Sequence, residues 1–385
     1  MCKASATYVE LTGNLFGGGD AGPFVSLSPM LEVTRDIHRF GFDVCRTARS
    51  PQGITVTTNL GHLGQATGGV FSRAEALDSG ETERSLQHAL RSGLLVRLRR
   101  GMYVPAEVYA ACDDAGKHLL HARAALSAQK GHAVLTGTSA AALYGFALYQ
   151  QDLSTVDILR LDAGASRRAA FVNHHAVSRA VTDDEVVVHR GVAVVSRARA
   201  VWEVACRSSL EGGVVTADSA LHLDPDLFDR IEDLAERFAY FPGSRVARTA
   251  LRLADGRSES PGESVSRVQF HKYGIPKPEL QYPVHGVRGE LIGVSDFYWE
   301  ESRHLGEFDG KIKYLKYLRP NETPSDCVYR EKCREDAMRA DLRGMTRFVW
   351  SMVMPHQASR TMRDLALALD QSRRLYVRGR VIIAS

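Results

Sequence analysis

The chain has 385 residues, 44% hydrophobic and 24% charged, with 49 basic against 45 acidic side chains for a formal charge of +4. That composition belongs to a folded protein of two or three domains and excludes a disordered or fibrous one. No run reaches the ~18–20 apolar residues of a membrane span, no basic-then-apolar leader opens the chain, and six scattered cysteines lack CxxC or zinc-finger spacing, so a cytoplasmic protein with reduced thiols is expected.

Residues 1–56 carry no sustained period, and the glycine-rich run from Gly13 to Pro23 has neither a preceding strand nor the GK[ST] of a phosphate loop. The stretch reads as an arm or as an over-extended start. From Val70 the texture changes. Phe71 to Leu77 reads as a short helix that Ser72 can cap, broken by Ser79-Gly80. Thr82 to Ser92 is a second helix with Leu86, Ala89 and Leu90 on one face, closed by Gly93. Leu94 to Val104 alternates and turns at Arg100-Gly101, as a β-hairpin does. Between Arg84 and Val104 lie five arginines (84, 91, 97, 99 and 100) and no acid.

Helix, turn, helix and basic hairpin is the order of a winged helix-turn-helix. A helix fits the major groove and offers polar side chains to base edges, while wing arginines meet phosphates. Arg84, Gln87, His88 and Arg91 form the expected groove-facing set, and Arg97, Arg99 and Arg100 the expected phosphate set. The alternative is a solvated basic face that binds protein.

Residues 117–205 mix helix and strand, with helices at 117–130, 139–144 and 198–206 and strands at 156–161, 171–175, 185–189 and 192–195. His118 and His121 stand three apart on a helix without an acidic or thiol partner nearby, and read as surface histidines. Residues 207–257 are mostly helical, a connector.

The chemistry concentrates between Ser258 and Pro355. Ser260-Pro-Gly-Glu263 opens a helix, Leu291 to Trp299 is a strand, and Leu305 to Tyr314 is a second strand. By the two-residue period Asp296 shares a face with Ile292 and Val294, and Glu307, Asp309 and Lys311 share a face. A hairpin of the two would set Asp296 close to Asp309. Carboxylates gathered on an otherwise apolar patch call for a cation, and Mg²⁺ (or Mn²⁺) suits oxygen ligands. A lysine beside them can assist a metal-bound water. Asp296 and Asp309 would hold the metal, Glu307 or Glu263 would complete the shell, and Lys311 would assist the attacking water. Glu263 reads equally well as the capping-box partner of Ser260, and Glu307 and Lys311 as a salt bridge.

Two resemblances follow from these blocks. ESVSR, VSDFYW, GEFDGKIKY, EKCREDAMR and RFVW, in that order over about 258–355, resemble the restriction-endonuclease-like domain related to very-short-patch repair endonucleases, within the PD-(D/E)xK superfamily. The resemblance implies that Glu263, Asp296, Glu307 or Asp309, and Lys311 occupy metal and catalytic positions. It also implies that a later helix with Glu331, Lys332, Arg334 and Glu335 flanks the sheet. The chain departs from that family in having Lys311 and Lys313 after EFDG, where many members carry histidine. FSRAEALDSG, LVRLRRGMYV and LTGTSAAALYGF, over about 57–205, are similar to the antitoxin of abortive-infection type IV toxin–antitoxin systems. That similarity implies a winged helix-turn-helix repressing its own operon through Arg84, Gln87, Arg91, Arg97, Arg99 and Arg100, and a following domain that neutralises a cognate toxin.

The expected organisation is a multidomain α/β protein. It comprises an arm (1–56), a winged helix-turn-helix (57–112), a mixed α/β domain (113–206), a helical connector (207–257), a restriction-endonuclease-like α/β/α domain (258–356) and a C-terminal tail (357–385). Its expected function is DNA binding joined to Mg²⁺-dependent phosphodiester cleavage. The alternative is a non-catalytic regulator or antitoxin.

Overall fold

The structure is a computed structural model and describes residues 69–129, 133–162, 165–176, 181–286, 288–310, 333, 337–338 and 343–377. The fold is mixed α/β, with three sheets and the helices between them.

The first unit is built on β1 (Phe71–Ser72), α1 (Arg73–Asp78), α2 (Glu83–Arg91), β2 (Leu95–Arg99) and β3 (Met102–Pro105). Both helices start where the sequence supplies caps. The Ser72 hydroxyl accepts the Glu75 N–H while the Glu75 carboxylate accepts the Ser72 N–H, and Thr82 and Ser85 repeat the arrangement on α2. Phe71, Ala76, Leu86, Ala89, Leu95 and Tyr103 close a small core between helices and sheet. The sheet order is β1-β3-β2. Helices α3 (Ala106–Ala111) and α4 (Asp114–Ser127) follow, and Leu98, Met102 and Val104 of the hairpin pack on Leu120 and Ala124 of α4.

The second unit is a six-stranded sheet in the order β6-β7-β5-β4-β9-β8. Its strands are β4 (Ala133–Leu135), β5 (Val156–Arg160), β6 (Arg167–Ala169), β7 (Val172–Ala176), β8 (Val186–His189) and β9 (Val192–Val195). Helix α5 (Gly137–Tyr144) lies between β4 and β5. Helices α6 (Arg197–Arg207), α7 (Leu210–Leu223), α8 (Leu227–Arg237) and α9 (Ser244–Leu253) follow β9. Helices α7 to α9, the stretch expected as a connector, pack with α6 into the core of the sheet. Trp202, Val214, Ile231 and Ala247 belong to the same core as Val134, Ile158 and Val194 of the sheet.

In the third unit α10 (Pro261–Lys272) covers a sheet of β10 (Glu279–His285), β11 (Leu291–Trp299), β12 (His304–Phe308) and β13 (Gly344–Phe348), joined in that order. The first two pairings are antiparallel and the last is parallel. Phe270, Phe297, Trp299, Phe308 and Phe348 fill the space under α10. Helices α11 (Trp350–Val353) and α12 (Pro355–Ser372) follow, and a π-helical turn (Arg373–Val377) ends the described chain. The stretch expected to be a tail is thus an 18-residue helix that buries Met362, Leu365 and Leu369 in that core. Residues 1–56, Lys311, Lys313, Glu331, Lys332, Arg334 and Glu335 lie outside the described residues.

Candidate nucleic-acid interface

Helix α2 turns Leu86 and Ala89 inward and leaves Arg84, Gln87, His88 and Arg91 exposed. Spacings of four and three residues put Arg84, His88 and Arg91 on one stripe. With Thr82, Ser85 and Ser92 they line one shallow depression. Gln87 is exposed but outside that lining. The hydroxyl groups of Thr82, Ser85 and Ser92 on this surface are an addition to the set expected from the sequence. Of the acids beside the stripe, Glu81 accepts the Ser85 hydroxyl at 2.6 Å and Glu83 forms an exposed ion pair with Arg73.

The hairpin separates its three arginines. Arg97 and Arg100 are exposed. Arg99 is drawn inward, and its Nη1 donates to the carbonyls of Ala124 and Ala125 at 3.4 and 3.3 Å. A strict period of two would have placed Arg97 and Arg99 on one face. The β2–β3 register shifts between them, and Leu95 and Leu98, three apart, both turn inward. The bulge therefore changes the side that Arg99 faces. Arg99 neutralises carbonyls at the end of α4 and sets the hairpin against that helix.

The pairing of β11 with β12 places the carboxylates of the third unit. Strands β11 and β12 pair Phe297 with Gly306 and Trp299 with His304. Continuing that register by one residue sets Asp296 across from Glu307, two residues short of Asp309. Asp296 Oδ2 accepts the backbone N–H of Phe308 at 2.6 Å. Glu307 is buried on the Tyr298–Leu305 side of the sheet and faces Arg347, its parallel partner on β13, at 3.4 Å. Asp309 donates its backbone N–H to the Phe348 carbonyl at 2.7 Å.

Glu263 belongs to α10, on the other side. Its carboxylate accepts the Glu259 N–H at 2.9 Å, the Ser260 hydroxyl at 2.7 Å and the Gln281 amide at 3.1 Å. Ser260 caps α10 by accepting the Glu263 N–H at 3.3 Å, while the Glu263 carboxylate takes the N–H of Glu259 in place of that of Ser260, so the reciprocal half of a capping box is not formed. Among the described residues no three His, Cys, Asp or Glu side chains are grouped to hold a metal ion. Lys311, which the sequence reading set beside these carboxylates, lies outside the described residues. His304 is buried between the Ser372 hydroxyl and the Thr346 hydroxyl, both at 2.8 Å.

Charge in the second unit holds the fold. Glu203 is buried against Arg199 at 2.9 Å, the Gly137 N–H at 2.9 Å and the Thr136 hydroxyl. Burial would raise its carboxyl, but Arg207, Arg199 and Thr136 outweigh it and hold the group below the usual carboxylate range. His118 is not on the surface. It bridges the Leu153 carbonyl and Ser139 at 2.8 Å each, and burial lowers its imidazole.

Residues 65–106 match the family model described as transcriptional regulator, AbiEi antitoxin. The chain is 33% identical over 231 residues to the uncharacterized Mycobacterium tuberculosis proteins MT2308 and Rv2248, from two strains. In each case the alignment covers 59% of this chain and 78% of the relative. Among solved structures, the Rv2827c protein of M. tuberculosis aligns with 59% of this chain and 82% of its own, at 16% identity and a TM-score of 0.33. Among the described residues no helix is long and apolar enough to cross a membrane.

Proposed function

The chain belongs to the family of the mycobacterial proteins Rv2248 and MT2308, and on that premise we propose that it is a DNA-binding transcriptional regulator of the antitoxin type. The first unit is read as a winged helix-turn-helix. Helix α2 would enter the major groove with Arg84, His88 and Arg91 foremost, and Arg97 and Arg100 would lie on phosphates. The observation that carries this reading is the exposed arginine stripe of α2, beside a hairpin whose remaining free-facing arginines flank it. The antitoxin description of the matching family model points the same way. A cognate toxin protein is the partner that this reading implies.

The test is binding of the full chain to the DNA upstream of its own gene, against an unrelated duplex of equal length. A preference for the upstream DNA that Arg84→Ala/Arg91→Ala abolishes supports the reading. Equal binding of both duplexes, unchanged in the variant, sinks it.

A second reading concerns the third unit. The carboxylate of Asp296 beside Glu307, on the strands that resemble a nuclease core, favours a DNA endonuclease activity. Supercoiled plasmid incubated with Mg²⁺, Mn²⁺ or EDTA decides it. Nicking that needs metal and is lost in Asp296→Ala supports the activity, and intact plasmid with both metals removes it for this substrate.

A further inference from the structure

Helix α9 differs from its neighbours in charge. Its ten residues, SRVARTALRL, hold three arginines and no acid. Ala247, Ala250 and Leu251 turn inward against α7 and α6. Arg245, Arg248, Thr249 and Arg252 fall within about a quarter-turn on the opposite side, by the 3.6-residue period. Arg245 and Arg252 are exposed. The Arg245 guanidinium has no hydrogen bond or ion pair among the described residues. Arg252 donates only to the Thr249 hydroxyl, at 3.0 Å, and Arg248 to the Ala235 carbonyl, at 3.1 Å. A surface helix that served solubility alone would mix signs, as α8 does with Asp229, Glu232, Asp233 and Glu236 beside Arg230 and Arg237.

The turn before α9 adds a second observation. Phe238 is buried and Phe241 packs against the same core, with ring centroids 6.2 Å apart. Between them Tyr240 is 91% exposed. The turn is rigid. Gly243, at φ 83°, begins α9, and any Cβ there would run into the Cys206 carbonyl of α6. A solvent-facing tyrosine next to an acid-free arginine stripe suits a polyanion, since Arg and Tyr both donate to phosphate oxygens.

We infer that the segment from Tyr240 to Arg252 is a second contact for the phosphate backbone of duplex DNA, independent of base sequence. Arg245 and Arg252 are seven residues apart, about 10 Å along the helix, a length over which one strand of a duplex presents about three phosphates. The acids of α8 bound the contact on one side and keep it small. The inference rests on the DNA-binding reading of the first unit and extends it to the second.

The experiment titrates the full chain into a fluorescent mixed-sequence duplex of about 40 base pairs at several salt concentrations. Wild type runs beside Arg245→Ala/Arg252→Ala, Arg245→Lys/Arg252→Lys, Tyr240→Ala and Arg84→Ala/Arg91→Ala, each checked for an unchanged thermal midpoint. Loss of two phosphate contacts lowers the salt slope by about 2, at ~0.9 per contact. The lysine pair keeps the wild-type slope. Tyr240→Ala weakens binding without changing the slope. An alanine pair with wild-type affinity and slope, while Arg84→Ala/Arg91→Ala falls, overturns this contact and leaves the first unit's role standing. A fall in the alanine pair with no effect of Arg84→Ala/Arg91→Ala supports the contact and assigns the sequence-independent part of binding to it. Wild type that binds no duplex overturns both.

Discussion

Arg267 Nη1 donates to Asp218 Oδ2 at 2.7 Å, and both side chains are buried. The pair joins α7 to α10 where the core of the six-stranded sheet meets that of the four-stranded sheet. Asp218 also accepts the Asp255 N–H at 2.7 Å, and Arg267 reaches the Leu253 carbonyl. Burial pushes the Asp218 carboxyl up to about 6, although the Arg267 guanidinium and the Asp255 N–H pull it down.

A carboxyl raised from 3.8 to about 6 holds its proton more tightly folded than unfolded. Its contribution to stability is fully present below about pH 4 and is lost as pH rises through 6. Urea unfolding of wild type and Asp218→Asn at pH 4.5 and 7 should show wild type losing ground to the variant as pH rises. A difference independent of pH would contradict it. Asp218→Ala strands the buried guanidinium and should cost about 3–5 kcal/mol, read as a drop in the urea midpoint.

The two kinds of hairpin arginine should separate cleanly. Arg99→Ala loses hydrogen bonds from a charged donor to the end of α4 and should destabilise by about 1.5–3 kcal/mol. Arg97→Ala and Arg100→Ala should leave stability within about 0.5 kcal/mol. Each should instead lower the salt slope of DNA binding by about 0.9. Thermal melts beside salt-dependent titrations check both statements, and an Arg99→Ala variant as stable as wild type would refute the first.

On α2, Arg84→Ala or Arg91→Ala should each cost about 1–3 kcal/mol in specific DNA binding if the side chain meets a base edge. Gln87→Ala should cost less, because Gln87 stands outside the depression that the other polar side chains line. Anisotropy against a specific and a scrambled duplex measures this. A larger loss for Gln87→Ala would move the reading face of the helix.

Gly262→Ala tests how α10 sits on its sheet. A Cβ at Gly262 would penetrate the Phe308 ring on β12, and overpacking of this kind costs about 1–3 kcal/mol. The expected result is a lower thermal midpoint, with Phe308→Leu partly restoring it in the double variant. An unshifted midpoint would show that the helix can lift off at no cost.

Local signals carried most of the elements. Ser72, Thr82 and Ser260 begin helices because each hydroxyl can take an N–H of the first turn, and Gly145 ends one in the left-handed conformation. Strand β10 was harder to see, because Pro283 and the positive φ of Gln281 interrupt its pattern. Strand β13 pairs in parallel with a segment about 40 residues away in sequence, which no local period announces. Helix α12 does carry a legible stripe in Ala358, Met362, Leu365 and Leu369, and only the assumption of a tail concealed it.

The sequence by itself determined the capped helices, the acid-free run from Arg84 to Val104 and the face that each carboxylate would take on its strand. Those properties depend on neighbours within a few residues, where periodicity and capping act. Only the tertiary structure decided which arginines remain exposed and which carboxylates meet. A bulge turned Arg99 toward α4, and the pairing of β11 with β12 set Asp296 across from Glu307 with its carboxylate on the Phe308 N–H. A shift of two residues preserves the face of every side chain, so nothing in the alternation could have revealed that pairing. The partners of Asp296, Arg99 and Asp218 lie 12, 25 and 49 residues away. Such contacts are set by how packed elements meet, after each element has formed.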